Sequence, residues 1–238
     1  MKWNHGDLYR AVLAKYGDQY AKELKPIIYS FPWKFRIAEY HIREAQNAFN
    51  RKLADDEVQA RVKLLEAMFN GLGDMEKDQI GKLLLENEAH IIAYAQSAHS
   101  VADNLASIIY YSINFKKEFN GFKFHNNYHL SHIKNELQKK QMYGDIVKKL
   151  DNLLTSDEFC YLSAFTNTIK HRQLLDHSLS IALISTERHG LVFNKFRYKN
   201  HTYAAKKAND FVDSDYYKLK KLYLEIGISI NNVLIPSP

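Results

Sequence analysis

One cysteine, Cys160, in 238 residues leaves no possibility of an internal disulfide, and this usage fits a reducing compartment. Four prolines and nine glycines are too few for a fold built on Gly-rich turns, which argues against an all-β architecture. Long apolar runs are missing too. The most apolar stretch, residues 105–113, falls far short of the roughly 20 residues that span a bilayer. Met1-Lys2-Trp3-Asn4-His5-Gly6-Asp7 lacks the apolar core of a signal peptide. A cytoplasmic location without a membrane partner is therefore expected. The glycine patterns of P-loops and dinucleotide sites do not occur, nor do the HExxH zinc signature and the GxSxG nucleophile elbow. No cofactor and no metal ion are expected on these grounds.

What is present is helical spacing. Leu8, Val12, Leu13, Tyr16 and Tyr20 predict a helix over residues 7–25, closed by Pro26, because proline biases the residue before it away from helix. A connector over 27–31 ends at Pro32, and Trp33, Ile37, Tyr40, Ile42, Ala45 and Phe49 predict a second helix to about Arg51. A third, capped by Asp55 or Asp56, ends at Gly71 and Gly73. Asp74 opens the longest helical pattern, running to about Phe119, with small and polar residues sharing one face. On that face His99 and Asp103 stand one turn apart, and a hydrogen bond between them or to a neighbouring helix is expected. Asn120-Gly121 breaks this helix. His125, His129 and His132 follow without a cysteine or carboxylate at matching spacing, so they read as loop and helix-start residues rather than metal ligands. Residues 130–154 are helical with an interruption near Gly144, and Thr155-Ser156-Asp157-Glu158 is a capping sequence for the next helix. Cys160 falls mid-helix on an apolar turn, as a structural thiol.

After Asp176 the period changes to two. Leu179, Ile181 and Leu183 alternate with Ser178, Ser180 and Ala182. Thr186 to Gly190 form a turn, a second alternating run follows through Tyr198, and a third short strand is expected at His201 to Ala204. The expectation is a mainly α fold, a helical bundle with a small antiparallel β-hairpin near the C-terminus. Residues 1–238 form one helical domain in this reading, residues 178–204 are its hairpin appendage, and a last helix covers about 214–231. Charge is uneven: residues 191–221 hold eight Lys/Arg against three Asp, most of the chain's formal +6. Lys195, Arg197, Lys199, Lys206 and Lys207 would attract polyanions; the alternative is a solvated basic face.

Between these two patterns lies the stretch from Phe165 to His177, where Asn167, Lys170, His171, Arg172, Asp176 and His177 crowd into thirteen residues. Metal-independent RNA cleavage uses these residue types. An imidazole moves the proton of a 2′-hydroxyl or leaving oxygen, and an arginine forks onto the phosphate. Five residues of straight helix turn through about 500°, so Arg172 and His177 converge only if the helix ends or distorts between them. The alternative is that Asn167, Lys170, His171 and Arg172 close the helix and bond carbonyls or acids such as Glu86, Glu88 or Asp103.

The run Asn167-Thr168-Ile169-Lys170-His171-Arg172, the spacing from Arg172 to His177, and the preceding long helix with His99, Asp103 and Asn104 resemble the HEPN superfamily of helical-bundle proteins over roughly residues 75–185. This resemblance implies a ribonuclease of toxin or anti-phage defence type, commonly homodimeric, with RNA and an antitoxin or other protein as partners. Its catalytic residues would be Arg172 as phosphate clamp and His177 or His171 as acid/base, beside Asn167 and Lys170, with His99 and Asp103 on the supporting helix face. Gln173 departs from the small polar residue usual after that arginine. The other expectation is a non-catalytic helical module that binds a partner protein or nucleic acid.

Overall fold

Asn4 starts the first helix: its side-chain oxygen accepts from the Asp7 amide, and α1 runs His5–Tyr16. Gly17 ends it at φ 87, a conformation open to glycine, with its N–H donating to the Leu13 carbonyl. The next helix begins at once. The computed structural model describes residues 2–53, 74–119, 129–180 and 190–235, without the side chains of 49–53 and 74–80. The helix expected from Asp55 or Asp56, the break at Asn120-Gly121, the loop with His125 and the turn over 186–189 lie outside the described residues. The fold is mainly helical, with small antiparallel sheets toward the C-terminal part.

The helices that follow are α2 (Asp18–Leu53), α3 (Asp74–Ile113), α4 (Phe115–Glu118), α5 (Leu130–Leu137), α6 (Gly144–Thr155), α7 (Asp157–His171), α8 (Ala208–Val212) and α9 (Ser214–Leu234). Pro26 and Pro32 do not end helices; both lie inside α2, which is 36 residues long. Each removes one backbone hydrogen bond. Burial nevertheless continues unbroken through Ala21, Leu24, Ile28, Phe31, Phe35, Ala38, Ile42, Ala45 and Ala48, at steps of three and four. Packing along that whole stripe outweighs two lost bonds. The expected break near Gly144 is a 3₁₀ turn, Gln141–Tyr143. Ser156 caps α7 as expected, its hydroxyl accepting from the Phe159 amide.

The chain forms two compact units. The first comprises Met1–Arg36, Ser97–Cys160 and Tyr217–Pro238; the second comprises Ile37–Gln96 and Tyr161–Tyr216. In the first, the Trp3 indole lies on Gly227, where any Cβ would overlap the ring, and its Nε1 donates to Asn231 Oδ1 at 3.0 Å. Asn231 in turn donates to the Asn4 carbonyl. Trp3, Phe31, Phe35 and Tyr223 make a chain of edge-to-face rings. Asn104 donates to the Ile27 carbonyl, and Lys34 to Ser100. His99 stacks parallel to Phe159, and Asp103 is exposed. The Cys160 thiol is half-buried 3.5 Å from the Leu154 carbonyl, and burial pushes its pKa up, against the thiolate.

In the second unit β1 (His177–Ser180), β2 (Gly190–Phe193) and β5 (Lys206–Lys207) form a sheet in the order β1-β2-β5, His177 opposite Phe193 and Val192 opposite Lys207. A separate hairpin pairs β3 (Phe196–Tyr198) with β4 (His201–Tyr203), turning at Lys199 with φ 52. The single strand expected through Tyr198 is thus two strands. The alternation breaks at Asn194-Lys195, so that Leu191 and Phe193 are buried on β2 and Phe196 packs on Tyr161 on β3.

Replacing Gly227 with alanine is expected to lower stability by about 1–3 kcal/mol, the usual cost of overpacking a filled site. Urea denaturation checks this. The alanine should cost less when introduced into a Trp3→Leu background, because the clash is with the indole.

Candidate nucleic-acid interface

The last turns of α7 are held from within. Thr168 Oγ1 donates to the Ala164 carbonyl and Asn167 Nδ2 to the Ser163 carbonyl, both at 2.8 Å, while the amides of Arg172 and Gln173 both reach the Thr168 carbonyl. Asn167 therefore spends its amide on its own helix, one of the two roles foreseen for it. The helix ends at His171, residues 173–176 are irregular, and His177 opens β1. Lys170, His171 and Arg172 are exposed.

Arg172 and His177 take different partners. The Arg172 guanidinium lies over the Tyr198 ring, 5.3 Å from its centroid, and Lys199 Nζ is 5.4 Å from the same centroid. His177 Nδ1 stands 3.5 Å from Glu88 Oε1, with the imidazole 26% and the carboxylate 14% exposed, and its ring edge meets Phe193. His99 and Asp103 belong to the first unit, whereas Asn167 to His177 belong to the second.

The hairpin is seated by aromatic packing. Phe165 meets Phe193 at 4.9 Å and Phe211 at 5.0 Å; Tyr161 meets Phe211, Phe196 and Tyr203 at 5.1, 5.5 and 6.0 Å. On β3 side chains alternate, so Phe196 and Tyr198 face α7 while Arg197, opposite Thr202, faces away and is exposed. Lys195 is exposed beside it.

From Gly190 to Asn209 the chain carries five Lys/Arg and no acid. These cations are not equivalent. Lys206 donates to Asp215 Oδ2 at 2.5 Å and lies 4.3 Å over the Tyr161 ring; Asp215 is only 7% exposed on its side chain. Burial, with Asp215 next, raises the Tyr161 phenol well above its ordinary pKa. Lys206 is thus built into the structure, and Lys207 is half-buried in β5. Lys195, Arg197, Lys199 and Arg172 have no carboxylate partner among the described residues. Four lysines on or beside α5 and α6 contrast with them: Lys134 and Lys149 pair with Asp151 and Asp145, and Lys139 and Lys140, just after α5, pair with Glu136 and Glu118.

A further pair was not foreseen. His41 on α2 and His90 on α3 bring their Nδ1 atoms to 3.0 Å. Burial, then His90, lowers the His41 pKa, with Glu44 opposing. Only tertiary pairing of two helices brings them together; no local spacing signals it.

No protein-family model, curated protein or solved structure matches the chain. No helix among the described residues is long and apolar enough to cross a membrane.

Removing the Lys206 cation by alanine substitution should cost about 1–3 kcal/mol, since a nearly buried carboxylate loses its charged partner. Lys195→Ala, on an exposed position, should change stability by less than about 0.5 kcal/mol. Urea midpoints of the two variants measure the difference.

Proposed function

We propose that the protein is a non-catalytic helical module that holds single-stranded RNA on the face made by the end of α7 and the β3–β4 hairpin. One observation carries this reading. Tyr198 sits with Arg172 and Lys199 over its ring, beside Lys195 and Arg197, and none of these four cations has a carboxylate partner among the described residues. Cations set along one exposed edge hold a strand by its phosphates with little sequence preference, and here the Tyr198 ring, covered by Arg172 and Lys199, anchors two of them. The HEPN-like resemblance of residues 75–185 makes RNA the polyanion to test first. Cleavage would ask Arg172 and His177 to meet on one phosphate, whereas Arg172 lies on Tyr198 and His177 faces Glu88. That contrast supports binding over chemistry.

Labelled single-stranded RNA is titrated in EDTA at several salt concentrations and followed by anisotropy. Arg197→Ala should weaken binding and reduce the salt slope by roughly 0.7, one phosphate contact on a single strand. Tyr198→Ala, which releases Arg172 and Lys199 from their common ring, should weaken binding with little change in slope. Wild-type affinity equal to that of both variants, or preference for duplex DNA, contradicts the proposal. RNA cleavage lost in both Arg172→Ala and His177→Ala would replace it with the nuclease reading.

A further inference from the structure

Away from the basic hairpin, α2 and α3 run side by side within the second unit. Asn87 Nδ2 donates to the Ala45 carbonyl at 2.6 Å, and Ala48 packs against Leu83 with Leu84 and Leu179 around them. These contacts fix the two helices near the place where His41 and His90 face each other. The rings are tilted by 37° with centroids 5.3 Å apart, and Tyr40 presents its ring to both at steep angles. Both histidines are half-buried, so one side of the pair is open to water.

The geometry points to a divalent transition-metal site in which His41 Nδ1 and His90 Nδ1 are two neighbouring ligands of one ion, of the Cu(II) or Ni(II) type. The bite is the reason. With metal–nitrogen bonds of about 2.05 Å, nitrogens 3.0 Å apart subtend about 95° at the metal, the angle between adjacent ligands of a square-planar or tetragonal ion. A tetrahedral ion would need the nitrogens at about 3.3 Å, a few tenths further apart. Metals bind the unprotonated imidazole nitrogen. When two neutral rings share this hydrogen bond one Nδ1 carries the proton, and ligation moves that proton to the Nε2 of the same ring. Among the described residues no trio of His, Cys, Asp or Glu converges on one point. Water or an added ligand therefore fills the remaining positions, and the ion stays exchangeable.

The test uses the full chain, stripped with EDTA and dialysed, titrated with Cu(II) and separately with Ni(II) by calorimetry. His41→Gln and His90→Gln should each remove one bound equivalent or weaken it more than about tenfold. The exposed pair His129 and His132, with ring centroids 5.7 Å apart, is the competitor, so a double His129→Gln, His132→Gln variant should keep that equivalent. In wild type, substoichiometric Cu(II) should broaden the NMR ring signals of His41 and His90 before those of other histidines, a readout independent of how the variants fold. No binding, binding unchanged in either single variant, loss with the His129/His132 variant, or earlier broadening elsewhere overturns the site.

Discussion

Burial of Phe165 in the middle of α7 is the contact on which the second unit depends. The ring is fully buried, between Phe193 on β2 and Phe211 on α8. Truncating such a ring costs about 3–5 kcal/mol, against about 0.5–1.5 kcal/mol for any one ring-to-ring geometry, so removal from water is the larger effect. Tyr161, one turn earlier, extends the same packing to Phe196 and Tyr203 on the hairpin. The hairpin strands are three residues each, too short to stand on their own pairing. They keep their place because their inward rings lie on α7. Arg172, at the end of that helix, consequently meets Tyr198 at the end of β3.

The same packing decides which charges face solvent. Alternation on β3 turns Phe196 and Tyr198 toward the helix and leaves Arg197 outside. Lys206 falls where Asp215 and the Tyr161 ring enclose it, and its charge is used within the unit. Elsewhere Lys134, Lys139, Lys140 and Lys149, on or beside α5 and α6, are matched by acids, while Lys148 is exposed and makes no ion pair among the described residues. Pairing thus takes Lys206 out of the basic surface and leaves Lys195, Arg197 and Lys199 on it.

Much of the fold was legible. The long α3, the cap at Ser156, the interruption before Gly144 and the change to strand after Asp176 all follow from local spacing and capping chemistry. Pro26 and Pro32 misled, because a proline rule weighs one lost hydrogen bond while the stripe from Ala21 to Ala48 weighs nine buried side chains; that period, read across both prolines, was the available signal. The break at Asn194-Lys195 carried no mark beyond a shift of apolar phase. Within the candidate site, Arg172 and the cations of the hairpin stood out by charge. The seating of Arg172 on Tyr198, the capture of His177 by Glu88 and the meeting of His41 with His90 were not visible, since each joins elements distant in the chain. Counting lysines could not separate Lys206 from Lys195; only the position of Asp215 does.

Hydrogen exchange of the free protein tests the central claim most directly, namely that aromatic packing on α7 holds the hairpin in place before any ligand arrives. The β3–β4 amides of Phe196 and Tyr203 should be protected in the wild type, and Phe211→Ala should speed their exchange together with that of β2. Hairpin amides that exchange at unprotected rates in the wild type, or that are unmoved by loss of the Phe211 ring, would contradict the account.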